Sequence, residues 1–207
     1  MPGIRRSFTA SLLLAVVLVV AAITASSCLL PRYVTDPAAK TPGYKLFTGR
    51  TDGFHISFEY PDTWQRRTME KYDTFRVIDL RPNETDTVSI TSDVTAAKGG
   101  DFTNAGELVQ HLLDLDSAAP EFRILSRTRV RLGQVEAEEV IYSYRFVVKD
   151  DPHLPPGTVI NKVLVARELA VDYGERIYHV GLLADGDKYE NLKEGFEHLI
   201  ATFRFLE

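Results

Sequence analysis

The clearest pattern in the chain lies at residues 54–60, where Phe54, Ile56, Phe58 and Tyr60 alternate with His55, Ser57 and Glu59. Alternation with period two puts four large apolar groups on one side of a strand and the polar groups on the other. Pro61 and Asp62 stop it, because proline has no amide to give to a ladder and aspartate favours turns. Further strands are expected at 64–69, 74–80 and 87–94, the last bounded by Asn83 and by Gly99-Gly100. The period then changes. Leu108, Leu112 and Leu115, with Val109 and Leu113 beside them, form a helical stripe, and Asn104 followed by Glu107 suits a reciprocal capping box.

Two long hairpins come next. Strands at 122–132 and 135–148 flank Gly133-Gln134, a two-residue turn with glycine first. That register sets Arg131 opposite Glu136 and Arg129 opposite Glu138. The run Arg127, Arg129, Arg131 therefore reads as a solvated sheet face of paired charges, not as a basic binding stripe. Strands at 159–171 and 176–184 form a second hairpin around Tyr173-Gly174. A last helix is expected from Asp187 as cap, with Glu190 at the third position, and its apolar side is Tyr189, Leu192, Phe196, Leu199 and Phe203. Strands, a helix, four strand segments and a helix predict an α+β domain: a mainly antiparallel sheet with helices packed on it.

The N-terminal part follows a different plan. Arg5 and Arg6 precede the apolar core Leu12 to Ile23, and the small residues Ala25, Ser26 and Ser27 lead into Cys28, the single cysteine. This resembles a bacterial lipoprotein signal, in which the cysteine is lipidated (palmitate among the acyl chains) and becomes the new N-terminus. Ala25 stands where leucine is usual. The alternative is an uncleaved anchor, since Phe8 to Leu30 is an uncharged run of 23 residues, against about 20 for a spanning helix. Either plan exports the remainder to the outer face of the cytoplasmic membrane, or to another envelope or thylakoid membrane. The expected organisation is a signal at 1–27, a flexible tether at 28–50 rich in proline, and a folded domain at 51–207.

Loss of residues 1–27 removes two arginines and no acids, so the net charge moves from −5 to −7. An acidic domain of this kind is a poor partner for nucleic acid. With Cys28 acylated no thiol remains, so stability must come from a hydrophobic core instead of disulfides.

The segment Asp52-Gly53-Phe54-His55-Ile56-Ser57-Phe58-Glu59-Tyr60-Pro61-Asp62-Thr63-Trp64 resembles the opening of the PsbP family, the extrinsic proteins of photosystem II and their bacterial relatives. Members similarly begin with Gly-Phe, alternating apolar residues and Tyr-Pro-x-x-Trp. The ending, from Tyr189 to Phe205, is similar to the family's closing helix and strand, and the likeness covers about residues 44–206. Thr63, where glycine often stands, and the Asp150–Gly157 loop depart from it. The resemblance implies an α-β-α sandwich and no enzyme. In photosystems these proteins sit on the lumenal side and help retain calcium and chloride. A cyanobacterial member is likewise a lipoprotein.

Among candidate sites, Asp150, Asp151 and His153 place two carboxylates and an imidazole within four residues, ligand types that suit calcium, manganese or zinc. Pro152, Pro155, Pro156 and Gly157 mark this stretch as a loop between hairpin strands, where acidic residues are ordinarily just solvated. Asp185 and Asp187 read as helix-cap residues. His55, His111, His153, His179 and His198 are scattered and have no partner in sequence. No Gly-x-Ser-x-Gly elbow, His-Glu-x-x-His helix or phosphate-cradling glycine loop occurs. The expected function is thus non-enzymatic: a membrane-held domain, without a resident cofactor, that binds or stabilises a membrane complex or envelope protein. Two alternatives stand beside it, a small-ligand or divalent-metal module and, in a photosynthetic host, a photosystem II extrinsic factor.

Overall fold

The computed structural model describes residues 33–34, 36–50, 54–67, 70–72, 75–83, 85–149, 155 and 157–207. The chain runs β1 (Tyr33–Val34), β2 (Tyr44–Gly49), β3 (Ile56–Pro61), β4 (Gln65–Arg67), β5 (Glu70–Tyr72), β6 (Phe75–Arg81), β7 (Thr87–Val94), α1 (Ala105–Asp116), β8 (Arg123–Leu132), β9 (Val135–Lys149), β10 (Val159–Tyr173), β11 (Arg176–Asp185), α2 (Tyr189–Thr202) and β12 (Arg204–Phe205). Every strand pairing among these is antiparallel. The large sheet has the order β1-β4-β6-β7-β11-β10-β9-β8, with β5 also on β6, and a small sheet has the order β12-β3-β2. No helix among the described residues is long and apolar enough to cross a membrane.

Strand alternation gives the large sheet two apolar faces, and each is covered. Leu164, Ala166 and Ala170 of β10 and Val140 and Tyr142 of β9 meet Ala105, Val109 and Leu113 of α1. Val165, Leu169 and Val171, with Val180 and Leu182 of β11, face the other way, onto Phe196, Leu199 and Ile200 of α2 and onto the small sheet. The expected α-β-α layering is therefore present, with β2, β3 and β12 added to the α2 layer. The alternating strand at 54–60 buries Phe54, Ile56, Phe58 and Tyr60 completely. Phe58 stacks on Phe47 of β2 at 4.9 Å and near Phe203 at 6.0 Å between ring centroids. The Tyr-Pro-x-x-Trp motif seats α2: a side chain on Gly195 would come within 2.7 Å of Pro61 Cγ and 2.9 Å of Trp64 Cζ2. Only glycine lets the helix lie that close.

Several expectations change. The tether expected over 28–50 is not unstructured throughout. β1 pairs with β4 and β2 with β3, and Asp36 takes two bonds from Arg66 (2.5 and 2.7 Å) and one from Tyr60 Oη (2.8 Å). A domain boundary at residue 51 is thus too late, because β2 completes the sheet that β3 needs and its proline-rich approach hid it. In α1 the buried row is Ala105, Val109 and Leu113, while Leu108, Leu112 and Leu115 are half-buried. The small Ala105 brings that side of the helix onto the sheet, where its N–H donates to Asp172 Oδ1 at 2.9 Å. Asn104 caps α1 as expected, accepting from the Glu107 N–H at 3.0 Å, but the Glu107 carboxylate accepts from the Thr103 N–H at 2.7 Å, one residue before the box position.

The second long turn is Gly174-Glu175, with Tyr173 still paired to Arg176 and Gly174 at φ +62°. Asp187 does not cap α2. The helix is entered through backbone bonds, Lys188 N–H to Asp185 O (2.8 Å) and Asn191 N–H to Lys188 O (3.0 Å), and no side chain caps it. The register Arg131↔Glu136 and Arg129↔Glu138 is as expected. The ion pairs on it are diagonal, however: Arg129 to Glu136 at 2.8 Å and Arg127 to Glu138 at 2.5 Å. Long arginine side chains lean along the strand and reach the next carboxylate.

Candidate functional site

The α2 layer does not cover its whole side of the large sheet. Beyond the N-terminus of α2 an open groove of about 550 Å³ crosses the start of β8, then β9 and β10, to the end of β11. Arg123, Leu125, Ser143, Lys162, Val165 and Asp187 line it among others. The volume lies within the ~300–1,000 Å³ typical of ligand sites. Among the described residues, Ile124 (50%), Leu125 (51%), Val147 (39%) and Val159 (55%) are exposed apolar side chains of β8, β9 and β10, and Leu125 lines the groove. The β9–β10 hairpin overhangs here, because the β8 ladder stops at Arg123↔Ser143 and the β11 ladder at Asp185↔Leu164.

A bulge builds the groove. The β8–β9 register shifts between Ile124 and Ser126. Continued unbroken from Leu132↔Val135, that register would set Arg123 opposite Tyr144, on the α1 face with Arg127, Arg129 and Arg131. The shift sets it opposite Ser143 instead, on the groove face, and leaves Leu125 turned outward. A one-residue slip moves every preceding side chain to the other face. Arg123 Nε donates to Ser143 Oγ at 3.0 Å, and Lys162 Nζ lies 2.5 Å from Asp185 Oδ1. The two lysines at Asp185, Lys162 and Lys188, outweigh its burial and hold its carboxyl below the usual range.

Other polar groups are buried and committed. Under α2, Arg167 donates to Glu139 at 2.7 Å and to Glu197 at 2.6 Å, and its guanidinium lies 5.4 Å from the Phe196 ring centre. Under α1, Tyr142 Oη donates to Asp116 at 2.9 Å. Burial pushes Asp116 up, and the Glu168 charge adds to this against the tyrosine bond. Burial first, then the nearby carboxylates, pushes Tyr142 and Tyr144 far up as well. Glu168 and His179 meet at 2.5 Å, and the Glu168 side chain lies across Gly181, where a Cβ would clash with it. His198 bonds Glu59 at 2.9 Å and stacks on Tyr44 at 3.8 Å. His179 and His198 therefore do have partners, the first from the adjoining strand β10 and the second from the distant strand β3.

The sequence-stated candidates Cys28, Asp150, Asp151 and His153 lie outside the described residues. Among the described residues no group of three His, Cys, Asp or Glu is placed to hold a metal. The groove residues Arg123, Ser143 and Lys162 went unnoticed in the sequence, because the bulge in β8 turns Arg123 toward Ser143 and the β9–β10 pairing brings Lys162 beside them.

No family model matches the chain, and no curated protein matches it. Solved structures do. The cyanobacterial PsbP of Synechocystis sp. PCC 6803 superposes with a TM-score of 0.51 at 11% identity, covering 83% of this chain and 98% of its own. LpqN of Mycobacterium tuberculosis, described as involved in cell envelope biogenesis, gives 0.47 at 13% identity over 86% and 91%. The chain has a PsbP-like fold.

Proposed function

We propose that the chain is a non-enzymatic, exported lipoprotein whose PsbP-like domain docks on a membrane-associated protein through the groove at the β8–β11 corner. The observation that carries this reading is the corner itself. An open groove lined by the exposed Leu125, with Val163 and Val165 beside it, is a surface that association would bury, and exposed apolar surface of this kind marks interaction sites. Charge complementarity argues for a protein, since both signs line the groove and the whole domain is acidic. A bilayer or nucleic acid surface would meet one sign only.

Lipidation at Cys28 would set the geometry. Tyr33, the first residue of β1, lies five residues after Cys28, a distance of at most ~18 Å at 3.3–3.6 Å per residue. The β1 edge would then lie near the bilayer. The β8 edge is seven strand spacings away, roughly 34 Å at ~4.8 Å each, and would face outward to a partner.

Two measurements test the reading. Mass spectrometry of the mature chain is expected to find an acylated N-terminus at Cys28, and a chain still starting at Met1 would overturn the lipoprotein claim. Leu125→Glu is expected to abolish co-purification of whatever protein the wild type captures from detergent-solubilised membranes, with its melting temperature unchanged. Equal capture by both would overturn docking at the groove.

A further inference from the structure

We infer that the groove takes an extended peptide segment bearing a carboxylate and, four residues along, an ammonium, with an apolar residue between them. The inference rests on the docking reading above and names the partner's chemistry at that same site.

The groove is charged at its two ends, and Val163 and Val165 give it an apolar stretch between them beside Ser143 and Lys162. At the β8 end, Arg123 spends Nε on the Ser143 hydroxyl. Among the described residues no carboxylate lies within ion-pair distance of its two terminal amino groups. It does contribute to the field that lowers the exposed Glu121, whose direct partner is Arg145. At the far end, beside the start of α2, Asp187 is exposed and forms no ion pair among the described residues, although its charge helps to raise the neighbouring Lys188, whose direct partner is Asp185. Lys162 and Asp185 also line the groove but close on each other at 2.5 Å, so they add little net charge. Val163 and Val165 of β10 are apolar lining between the two charged ends, and Leu125 adds apolar surface at the β8 end.

The separation of the ends selects the ligand. Three strand spacings separate β8 from β11, and Asp187 lies two residues past the end of β11, so the lateral separation of the two ends is roughly 14 Å. An extended chain covers that distance in four steps of ~3.4 Å, which puts residues i and i+4 over the two ends. Because side chains alternate along a strand, residues i, i+2 and i+4 all point the same way. The matching pattern is acid-x-apolar-x-base, in either chain direction, with the central side chain on the floor. A doubly acidic peptide would be repelled at Asp187 and a doubly basic one at Arg123, the repulsive element that specificity needs.

The test uses three acetylated, amidated pentapeptides with the full chain in detergent micelles: Asp-Thr-Val-Thr-Lys, its doubly acidic analogue and its doubly basic analogue. Amide chemical shifts are followed during titration. The mixed peptide is expected to bind at least tenfold more tightly than the other two, with shifts centred on Ser143, Val165 and Asp187. Arg123→Glu, which makes both ends acidic, is expected to reverse the order in favour of the doubly basic peptide while leaving the melting temperature unchanged. Binding of all three within twofold, an unchanged order in the variant, or no groove shifts at several millimolar peptide would each overturn the inference. If Leu125→Glu still abolishes partner capture in that case, docking at the groove stands and only the peptide chemistry falls.

Discussion

Arg167 and Arg123 stand on the same face of the same sheet, two strands apart, and have opposite surroundings. Arg167 lies under α2, is 6% exposed, and holds Glu139 on one side and Glu197 of the helix on the other. Arg123 lies past the helix N-terminus and has a single hydroxyl partner. The difference comes from where α2 sits. Gly195 lets the helix lie on Pro61 and Trp64, which fixes its course over Arg167 and leaves the β8 corner open. A covered arginine must be neutralised by the protein because burying an uncompensated charge is costly. An uncovered one can stay available to a partner at little cost.

The largest effect is expected from breaking the covered pair. Glu139→Ala leaves Arg167 with only Glu197, whose side chain is half exposed, and should cost about 3–5 kcal/mol in urea unfolding. Replacing both partners, as in Arg167→Met with Glu139→Leu, should recover most of that loss, since no buried charge is then left alone. Next comes the seat of the helix. Gly195→Ala forces α2 off Pro61 and Trp64 and is expected to cost about 1–3 kcal/mol, read in the same experiment.

A smaller effect is expected on the opposite face, where burial, aided by Glu168, raises Asp116 above its ordinary 3.8. The folded state therefore binds the proton more tightly than the unfolded chain, and stability falls as pH rises between 3.8 and the raised value. Asp116→Asn keeps the acceptor for Tyr142 and removes that loss. Its melting temperature should exceed the wild type's at pH 7 by on the order of 2 °C. The gain should fade as pH drops toward 4. The smallest change in stability is expected at Arg123. Arg123→Gln should stay within about 0.5 kcal/mol of wild type, and a loss comparable to that of Glu139→Ala would show that the two arginines are not different in kind.

Much of the fold was legible in the chain. The alternation at 54–60, the glycine turn at 133 and the cap at Asn104 carry their own physics, and the β8–β9 register near the turn follows from them. What was misread shares one cause. The strand at 44–49 has no strong alternation of its own and forms because β3 offers an unpaired edge. The buried row of α1 shifted because a small residue let one side of the helix approach. Asp187 was freed from capping by backbone bonds that only the β11–α2 connection provides. The groove was the least legible feature, because the bulge at Leu125 moved Arg123 off the face that its spacing from Arg127, Arg129 and Arg131 suggests.

The sequence by itself determined the fold class, the two long hairpins, the register of the first near its turn, and the motif at Tyr60-Pro61 with Trp64 that seats the last helix. Those features depend on period and turn chemistry, which act between near neighbours. The tertiary structure alone decided the strand order, the second sheet, the carboxylate partner of His198, and the uncovered corner with its two opposite charges. Each of these depends on which distant surfaces meet, and a linear pattern of apolar and polar residues does not specify that.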